Sequence, residues 1–296
     1  MKWQLQILRD AVKTATPFRP TLRRLQRALS GYPPNVDNLD WTLENAFAMI
    51  RLLLKAGREV TGSTVLEIGS GWFPLIPILY FLLGAQRIIL TDVQRYMDED
   101  TFRATLNYTR QNADRIATGL QIEPAHLAAV LNGVTAPADL GFDYRVPFDP
   151  RRQPAGSVDI ITSRTVLEHI PTNVLSALLP EWARLLSRDG VMVHAIDMSD
   201  HFEHTDKTIS RINFLRFRDG IWRSINMVAD YQNRLRHSDF LALFTRCGFE
   251  ALAVETMLDE RARIDATRLK LAAPFDDMAP DDIAILSSCV VLKPIA

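Results

Sequence analysis

Titratable side chains are concentrated in one short segment of the chain, residues 194–206, with the sequence HAIDMSDHFEHTD. Within it, Asp197, Asp200 and His201 could position a nucleophilic group of a bound molecule or remove its proton, because carboxylates and imidazoles are common general bases. His169, in the segment RTVLEHIP, is a further candidate base. Two plainer interpretations stay open: a solvated polar loop for the first segment, and a residue packed at a helix start for His169.

The same segment holds side chain types that bind metal ions. His201, His204 and Asp206 could converge on one ion, and carboxylates bind magnesium. These three residues do not have an established ligand spacing. We therefore predict no metal site from the sequence, and we interpret His194, within an apolar run, as a buried core histidine.

A second chemical feature is a glycine turn in the segment TVLEIGSGWFPLIPILYF, residues 64–81. An aliphatic run leads into Gly69 and Gly71, as a buried strand does before a nucleotide-binding turn and a helix. Pro74 occupies the position of the third glycine of the dinucleotide fingerprint. Because proline has no backbone N–H, it weakens a phosphate cradle made of such groups. The turn therefore favours a ligand that has adenosine but no pyrophosphate.

The elements that would position these residues alternate between strands and helices. Most of the strand candidates are continuous apolar runs, which is typical of strands covered on both faces. The pattern predicts an α/β protein with a doubly wound, mostly parallel sheet, and helical additions over residues 1–60, near 95–138 and near 203–236. The strand candidates are residues 65–68, 87–91, 158–162, 191–196, 250–255 and 285–292.

Composition limits the partners that the protein could have. The formal net charge of -1 gives no basic field for nucleic acid or an anionic membrane. The longest apolar run, residues 73–85, is interrupted by prolines and a glycine and is shorter than the roughly 18 residues that suggest a membrane span. Cys247 and Cys289 lie far apart in the sequence, which fits a reducing cytoplasm. We expect a cytoplasmic protein with a small-molecule substrate, no nucleic acid and no membrane; the oligomeric state stays open.

The glycine turn and the acid that ends the next strand resemble the class I S-adenosylmethionine-dependent methyltransferases, over most of residues 60–296. The first motif of that family is an acidic residue followed by x-G-x-G, and its ribose-binding acid ends the second strand. The resemblance implies a seven-stranded Rossmann-like domain over residues 61–296 and a helical lid over residues 1–60. The residues that match the cofactor-binding positions are Glu67, Gly69, Ser70, Gly71, Asp92 and Val93.

A further segment, residues 143–171, resembles the family's stretch from the adenine-side acid through the fourth strand. On that match Asp143 would face the adenine, while Ser163 and Arg164 would lie beside the sulfonium and the amino acid arm. Aromatic faces can contact a sulfonium or close over a substrate. The aromatic residues that we assign to the substrate or the lid are Tyr32, Trp41 and Trp72, and we place the first two on irregular structure.

The resemblance implies an enzyme that uses S-adenosylmethionine to methylate an O, N or C nucleophile of a small molecule by in-line displacement. Two alternatives stay open. A few members of the superfamily instead cyclise S-adenosylmethionine to azetidine-2-carboxylate and methylthioadenosine. A noncatalytic accessory protein that binds S-adenosylmethionine could also use this fold, because fold does not fix function.

Overall fold

A computed structural model describes residues 36–226 and 231–295 of the chain. A seven-stranded sheet with the order β3-β2-β1-β4-β5-β7-β6 forms its centre. The strands from β3 through β5 in that order are parallel to their neighbours, and β7 is antiparallel to both of its own. The predicted α/β class and mostly parallel sheet are confirmed. The strands are Thr64–Ile68 (β1), Arg87–Thr91 (β2), Phe142–Arg145 (β3), Val158–Arg164 (β4), Leu186–Asp197 (β5), Phe249–Leu258 (β6) and Ile285–Pro294 (β7).

Helices connect the strands and cover both faces of the sheet. Several of them begin where the sequence favours a start: Asp98 caps one helix by accepting from the Thr101 N–H, and Pro124 is the first residue of another. The α-helices are Val36–Lys55 (α1), Leu75–Leu82 (α2), Glu99–Gln111 (α3), Ala113–Leu120 (α4), Pro124–Leu131 (α5), Thr172–Leu185 (α6), Asp219–Asn226 (α7), His237–Arg246 (α8), Glu260–Arg268 (α9) and Pro280–Ala284 (α10).

The two faces of the sheet belong to two apolar cores. Successive side chains of a strand point to opposite faces, so Val65 of β1 packs in one core and Leu66 in the other. The first core includes residues of α1 through α5, and the second includes residues of α6 and α8. Both faces of the central strands are therefore buried, which explains their continuous apolar sequences.

A third apolar core consists mainly of residues outside the sheet. It joins the segment after β5, through Phe202 and Trp222, to the connection between β6 and β7, through Ala262 and Phe275. The buried side chain of Arg236 ties the same two segments together. Its Nη1 donates to the Met198 carbonyl at 2.7 Å, and its Nη2 donates to the carbonyls of Ile283 and Ile285 at 2.8 Å each.

The structure differs from the sequence prediction in several elements. The strand β3 was not predicted, because its sequence FDYR is short and polar, as an edge strand can be. Residues 95–138 contain α3, α4 and α5 as expected, whereas the described part of residues 203–236 is mostly turns, with α7 as an α-helix. The helices between β6 and β7 form an addition that we did not predict.

The amino-terminal expectations have mixed outcomes. Trp41 lies on the helix α1, which corrects its predicted place on irregular structure. Tyr32 lies outside the described residues. The division into a lid over residues 1–60 and a second domain stays a prediction. Within the part of the chain that the structure describes, no helix has the length and apolar character needed to cross a membrane.

Candidate functional site

The glycine turn connects β1 to α2 at the carboxyl edge of the sheet. Gly69 and Gly71 have φ values of +73° and +61°, a region that glycine adopts readily and other residues rarely do. The N–H groups of Gly69 and Ser70 both donate to the Thr91 carbonyl at 2.9 Å. The Ser70 hydroxyl is also bonded to the backbone of Thr91, so it fixes the turn against the end of β2.

The two glycines of the turn face different surroundings. A Cβ at Gly69 would lie 2.5 Å from Val166 Cγ2, so packing excludes a side chain there. A Cβ at Gly71 would meet no described atom within 4 Å. The backbone of Gly71 is therefore open to the close approach of a ligand. Pro74 is the N-cap residue of α2, so the helix start has one backbone donor fewer, as the sequence predicts.

Asp92 follows β2 and turns its carboxylate toward the glycine turn. Its Oδ2 accepts from the Gly71 N–H at 2.9 Å, and its Oδ1 accepts from the Val93 N–H at 2.7 Å. Burial raises the pKa of Asp92, and these backbone donors oppose the rise. Each carboxylate oxygen has a further lone pair, so Asp92 can still accept from ligand hydroxyls. Val93 contributes through its backbone, since its side chain is 86% exposed.

Glu67 lies near the end of β1 with its carboxyl group buried. Burial raises the pKa of Glu67 to about 7, and the Ser70 hydroxyl and the Arg164 charge oppose the rise. Among the described residues, its Oε2 has no hydrogen-bond partner. A buried polar atom without a partner is costly, so this oxygen indicates a donor supplied by a ligand.

Arg164 and Trp41 lie together at the end of β4. The guanidinium of Arg164 is 4.8 Å from the centre of the Trp41 ring, a cation–π contact. Burial lowers the pKa of Arg164, and the charges of Glu67, Glu168 and Asp197 oppose this. Its Nη1 has no hydrogen-bond partner within the described parts of the chain. Arg164 is thus a half-buried cation with a free donor, within the electrostatic reach of several carboxylates.

Two predicted cofactor contacts are corrected by the structure. Asp143 lies two residues before the end of β3, and its carboxylate binds Arg87 at 2.8 Å and Arg145 at 2.7 Å. These two arginines hold it in an ion-pair network on the edge strand. Ser163 points into the second core, where its Oγ lies 2.7 Å from His194 Nδ1. Burial lowers the pKa of His194 to about 3, so it is the neutral core histidine that we predicted.

Asp197, the last residue of β5, lies beside two histidines. Its Oδ2 is 3.7 Å from His201 Nε2 and 3.9 Å from His204 Nε2, while its Oδ1 accepts from the Ser199 N–H. The His201 ring stacks on His204 and lies 5.0 Å from the His169 ring. Burial lowers the pKa of His201 to about 4, although Asp197 raises it, so this imidazole is neutral at neutral pH.

His169 lies in a 3₁₀ turn, Leu167–His169, that follows β4. Its Nδ1 is 2.7 Å from the Tyr231 carbonyl oxygen. Because a carbonyl oxygen only accepts, Nδ1 carries a proton, and in the neutral ring the lone pair is then on Nε2. The neighbouring Glu168 is 1% exposed, and burial followed by the Asp197 charge raises the pKa of its carboxyl well above the ordinary value. We did not predict a role for Glu168, although its position next to His169 was a signal.

In the segment after β5, Asp200 and Asp206 form hydrogen bonds with residues of the same segment. Asp200 is completely buried, its Oδ1 accepts from the Phe202 N–H at 2.9 Å, and burial raises its pKa to about 7. This corrects the prediction that Asp200 positions a nucleophile. Asp206 is also buried, and its Oδ1 accepts from the Thr208 hydroxyl at 2.5 Å. The convergence of Asp206 with His201 and His204, considered for a metal, is therefore not observed.

A cavity of about 430 Å³ lies between α1 and the carboxyl ends of β4, β5 and β6. Thr165, at its wall, has a φ of +50°, a strained value for a β-branched residue. Such strain is concentrated at functional sites. The polar residues that line the cavity include Trp41, Glu44, Asn45, Arg51, Asp197, Arg211 and Glu255.

Trp72, which we assigned to the substrate or the lid, does not line this cavity. It lies on the side of the glycine turn, with its ring 4.8 Å from that of Tyr96.

Comparison with known proteins finds similarity to solved methyltransferase structures. An S-adenosylmethionine-dependent methyltransferase from Mesorhizobium loti is 15% identical, with 83% of this chain and 95% of that chain covered and a TM-score of 0.46. Magnesium protoporphyrin IX methyltransferase from Synechocystis, with bound S-adenosylhomocysteine, is 14% identical, with coverages of 97% and 100% and a TM-score of 0.47. A putative methyltransferase from Bacillus halodurans is 14% identical, with coverages of 84% and 99% and a TM-score of 0.44.

No protein-family model and no curated protein matches the sequence. Identities and TM-scores of this size describe what the chain is similar to.

Proposed function

We propose that this protein is an enzyme that binds S-adenosylmethionine and transfers its methyl group to a small molecule. The observation that carries the proposal is the pairing of an open glycine backbone at Gly71 with a carboxylate, Asp92, that is bonded to it at 2.9 Å. This arrangement offers a close backbone approach and an acceptor for ribose hydroxyls in one place.

The unpartnered polar atoms fit the amino acid arm of the same ligand. An amino acid carries one ammonium and one carboxylate. The free oxygen of Glu67 can accept from the ammonium, and the free guanidinium nitrogen of Arg164 can donate to the carboxylate. In this proposal Asp92 holds the ribose, and the backbone of residues 69–71 and of Val93 lies along the ligand.

The acceptor would bind in the cavity between α1 and the carboxyl ends of the strands, beside the proposed cofactor site. When bound, S-adenosylmethionine supplies a methyl group on a positively charged sulfur, so the chain has mainly to align the acceptor and exclude water. The cavity beside Trp41 and Asp197 is large enough for a small molecule. His169, through its Nε2 lone pair, together with Asp197 and His201, is the group that we assign to hold or remove the acceptor's proton.

The class of acceptor and the cellular location of the protein are inferred from the cavity, the net charge and the cysteines. A cavity of about 430 Å³ and a net charge of -1 support a small-molecule acceptor over nucleic acid. Cys247 and Cys289 are both free thiols, which fits the cytoplasm.

Two experiments test the proposal. Calorimetric titration should give saturable binding of S-adenosylmethionine and S-adenosylhomocysteine, and absence of binding by both would refute it. Incubation of the protein with S-adenosylmethionine, alone and with small-molecule extracts, then identifies the nucleoside product by mass spectrometry. Adenosylhomocysteine that forms only with an extract supports methyl transfer. Methylthioadenosine above the spontaneous background would replace methyl transfer with cyclisation, and binding without any product would indicate an accessory protein.

A further inference from the structure

Glu168, His169 and His201 form a cluster next to the acceptor cavity. Each side chain offers one ligand atom, and these atoms all lie within 4.8 Å of one another. The first two residues lie on the 3₁₀ turn after β4, and the third lies on the segment after β5. Asp197, which lines the cavity, has its Oδ2 3.7 Å from the Nε2 atom of His201, so the cluster lies directly behind a residue of the cavity wall.

Two of the donor groups carry free electron pairs in a buried place. His169 donates its Nδ1–H to the Tyr231 carbonyl, which leaves Nε2 free to bind a ligand. Histidines that bind metal ions commonly donate the other ring N–H to a carbonyl, because this fixes the tautomer and the ring orientation. Glu168 is 1% exposed, and within the described residues its Oε2 has no hydrogen-bond partner. A cation at the cluster would satisfy both atoms.

A neighbouring segment holds the two parts of the cluster in a fixed relation. Asn233 donates its backbone N–H to the Glu168 carbonyl at 2.7 Å, and its Nδ2 donates to the carbonyls of Leu167 and Ile170. Gln232 donates its Nε2 to the Ser199 carbonyl at 2.6 Å. The segment 231–233 therefore braces the turn that bears Glu168 and His169 against the segment that bears His201, independently of any ligand.

The local charge also favours a cation. The carboxylates of Glu67, Glu168 and Asp197 all act on Arg164, the one cation that they share among the described residues. Within the described parts of the chain no cationic side chain forms a salt bridge with Glu168, and Arg164 acts on it only through its charge. The cluster thus combines a carboxylate excess with two imidazoles.

We propose that Glu168, His169 and His201 bind a divalent first-row transition metal ion. Two imidazole nitrogens and one carboxylate oxygen suit ions such as Mn²⁺, Fe²⁺, Co²⁺ and Zn²⁺, and three ligands leave coordination positions open. Ligand atoms on one tetrahedral ion with bonds of about 2.1 Å are separated by about 3.4 Å. The three atoms lie within 4.8 Å of one another, so the side chains have to move together by at most about 1.4 Å to bind one.

The role of the ion deepens the proposed function and rests on it. A hydroxyl group of the acceptor that binds the ion has a lowered pKa, because the positive charge stabilises the oxyanion. Its O–H bond breaks and the proton passes to the carboxylate of Asp197, which lines the cavity, because the ion then engages the lone pairs of His169 and His201. The oxygen keeps the electron pair with which it attacks the methyl carbon, while the bond from that carbon to sulfur breaks. The proposed acceptor is therefore a molecule with a hydroxyl group small enough to enter the cavity of about 430 Å³.

Binding of the ion is tested without any acceptor or cofactor. The full-length protein is treated with EDTA, dialysed and titrated with Co²⁺, while the visible d–d absorption is recorded, and Mn²⁺ and Zn²⁺ binding is measured by calorimetry. We expect one ion per chain. His169→Ala and His201→Ala should each lower the affinity at least about tenfold, as loss of a supporting group already does at metal sites. His126→Ala, an exposed histidine on α5, is the matched control and should bind like wild type.

The outcomes separate the metal site from the methyl transfer. Circular dichroism and thermal unfolding of each variant establish that it is folded, and Glu168→Gln, which keeps the shape of the side chain, serves if a histidine variant is not. Equal affinity in wild type, His169→Ala, His201→Ala and Glu168→Gln would overturn the metal site. Failure of S-adenosylmethionine to bind, with Co²⁺ binding intact, would instead refute the proposed function and leave the metal site standing.

Discussion

The site has two halves that are built in different ways. The cofactor side, defined as Glu67, residues 69–71 and Asp92, depends on backbone groups of one turn and on an acid that ends the neighbouring strand. The acceptor side, defined as Glu168, His169, Asp197 and His201, consists of side chains that come from two segments and are braced by a third.

This difference determines what each half can tolerate. A backbone site is part of the fold, so most substitutions in the turn alter dihedral angles or the path of the chain. A side-chain site can change its chemistry while the sheet stays as it is, because its residues follow the ends of strands. We therefore expect the cofactor side to tolerate few substitutions, and we expect the residues of the acceptor side to determine acceptor specificity.

The largest effect should come from Gly71→Val. The turn needs a φ of +61°, and a branched side chain would fill the space open to the ligand. We expect S-adenosylmethionine affinity to fall at least about 100-fold, or roughly 2.7 kcal/mol, as measured by calorimetry. Gly133→Val is the matched control, with a φ of +84° and open surroundings away from the site. Both variants should lose about 1–3 kcal/mol of unfolding free energy, so wild-type binding by Gly71→Val would show that the turn does not contact the ligand.

The next effect should come from Asp92→Ala. Loss of hydrogen bonds to a charged group costs about 1.5–3 kcal/mol, so affinity for S-adenosylmethionine should fall by roughly 10- to 100-fold. Asp143→Ala removes a carboxylate that binds Arg87 and Arg145 in the sheet, and it should leave the affinity unchanged. If Asp143→Ala weakened binding and Asp92→Ala did not, the assignment of the ribose acid would be reversed.

A smaller effect concerns the pH dependence of stability through Glu67. Its folded pKa of about 7 lies above the ordinary 4.5, so the folded state holds the proton more tightly than the unfolded state does. The stabilisation that Glu67 contributes to the free energy of unfolding is fully present below about pH 4.5. It is lost as the pH rises toward 7, by at most about 1.4 kcal/mol per pH unit. Urea unfolding of Glu67→Gln between pH 4.5 and 8 should show a flatter profile than wild type, and parallel profiles would contradict the buried proton.

The smallest effect should come from Trp41→Leu, because Trp41 links the two halves through its contact with Arg164. A cation–π contact of this kind contributes about 0.5–1 kcal/mol, so the affinity for S-adenosylmethionine should fall by only about two- to fivefold in the same titration. A loss as large as that of Asp92→Ala would mean that the two halves are not separable.

Sequence reasoning was strongest where the site depends on neighbours in the chain. The strand, the glycines and Asp92 have a fixed spacing, so the turn could be predicted without the structure. Sequence reasoning assigned both Ser163 and Arg164 to the cofactor, because it could not predict which face of β4 each residue takes. Local spacing also gives no indication that Asp200 is buried.

The cluster on the acceptor side was beyond sequence reasoning for a related reason. Glu168 and His201 lie far apart along the chain, and the Tyr231 carbonyl that orients His169 is a backbone group with no sequence signature. The residue types of the segment after β5 raised only a different set, His201, His204 and Asp206, which has no established ligand spacing. Contacts between distant segments are formed by packing, which a single sequence does not record.

Arg236 has a consequence for how proteins of this shape can diversify. Its guanidinium is buried and bonded to carbonyls on both sides of the third core, at Met198 and at Ile283 and Ile285. A descendant that exchanged only one of these two segments would lose some of those bonds, at about 1.5–3 kcal/mol each, and would uncover apolar surface. We therefore expect that a chimeric enzyme with a new acceptor specificity would have to receive both segments from the same parent.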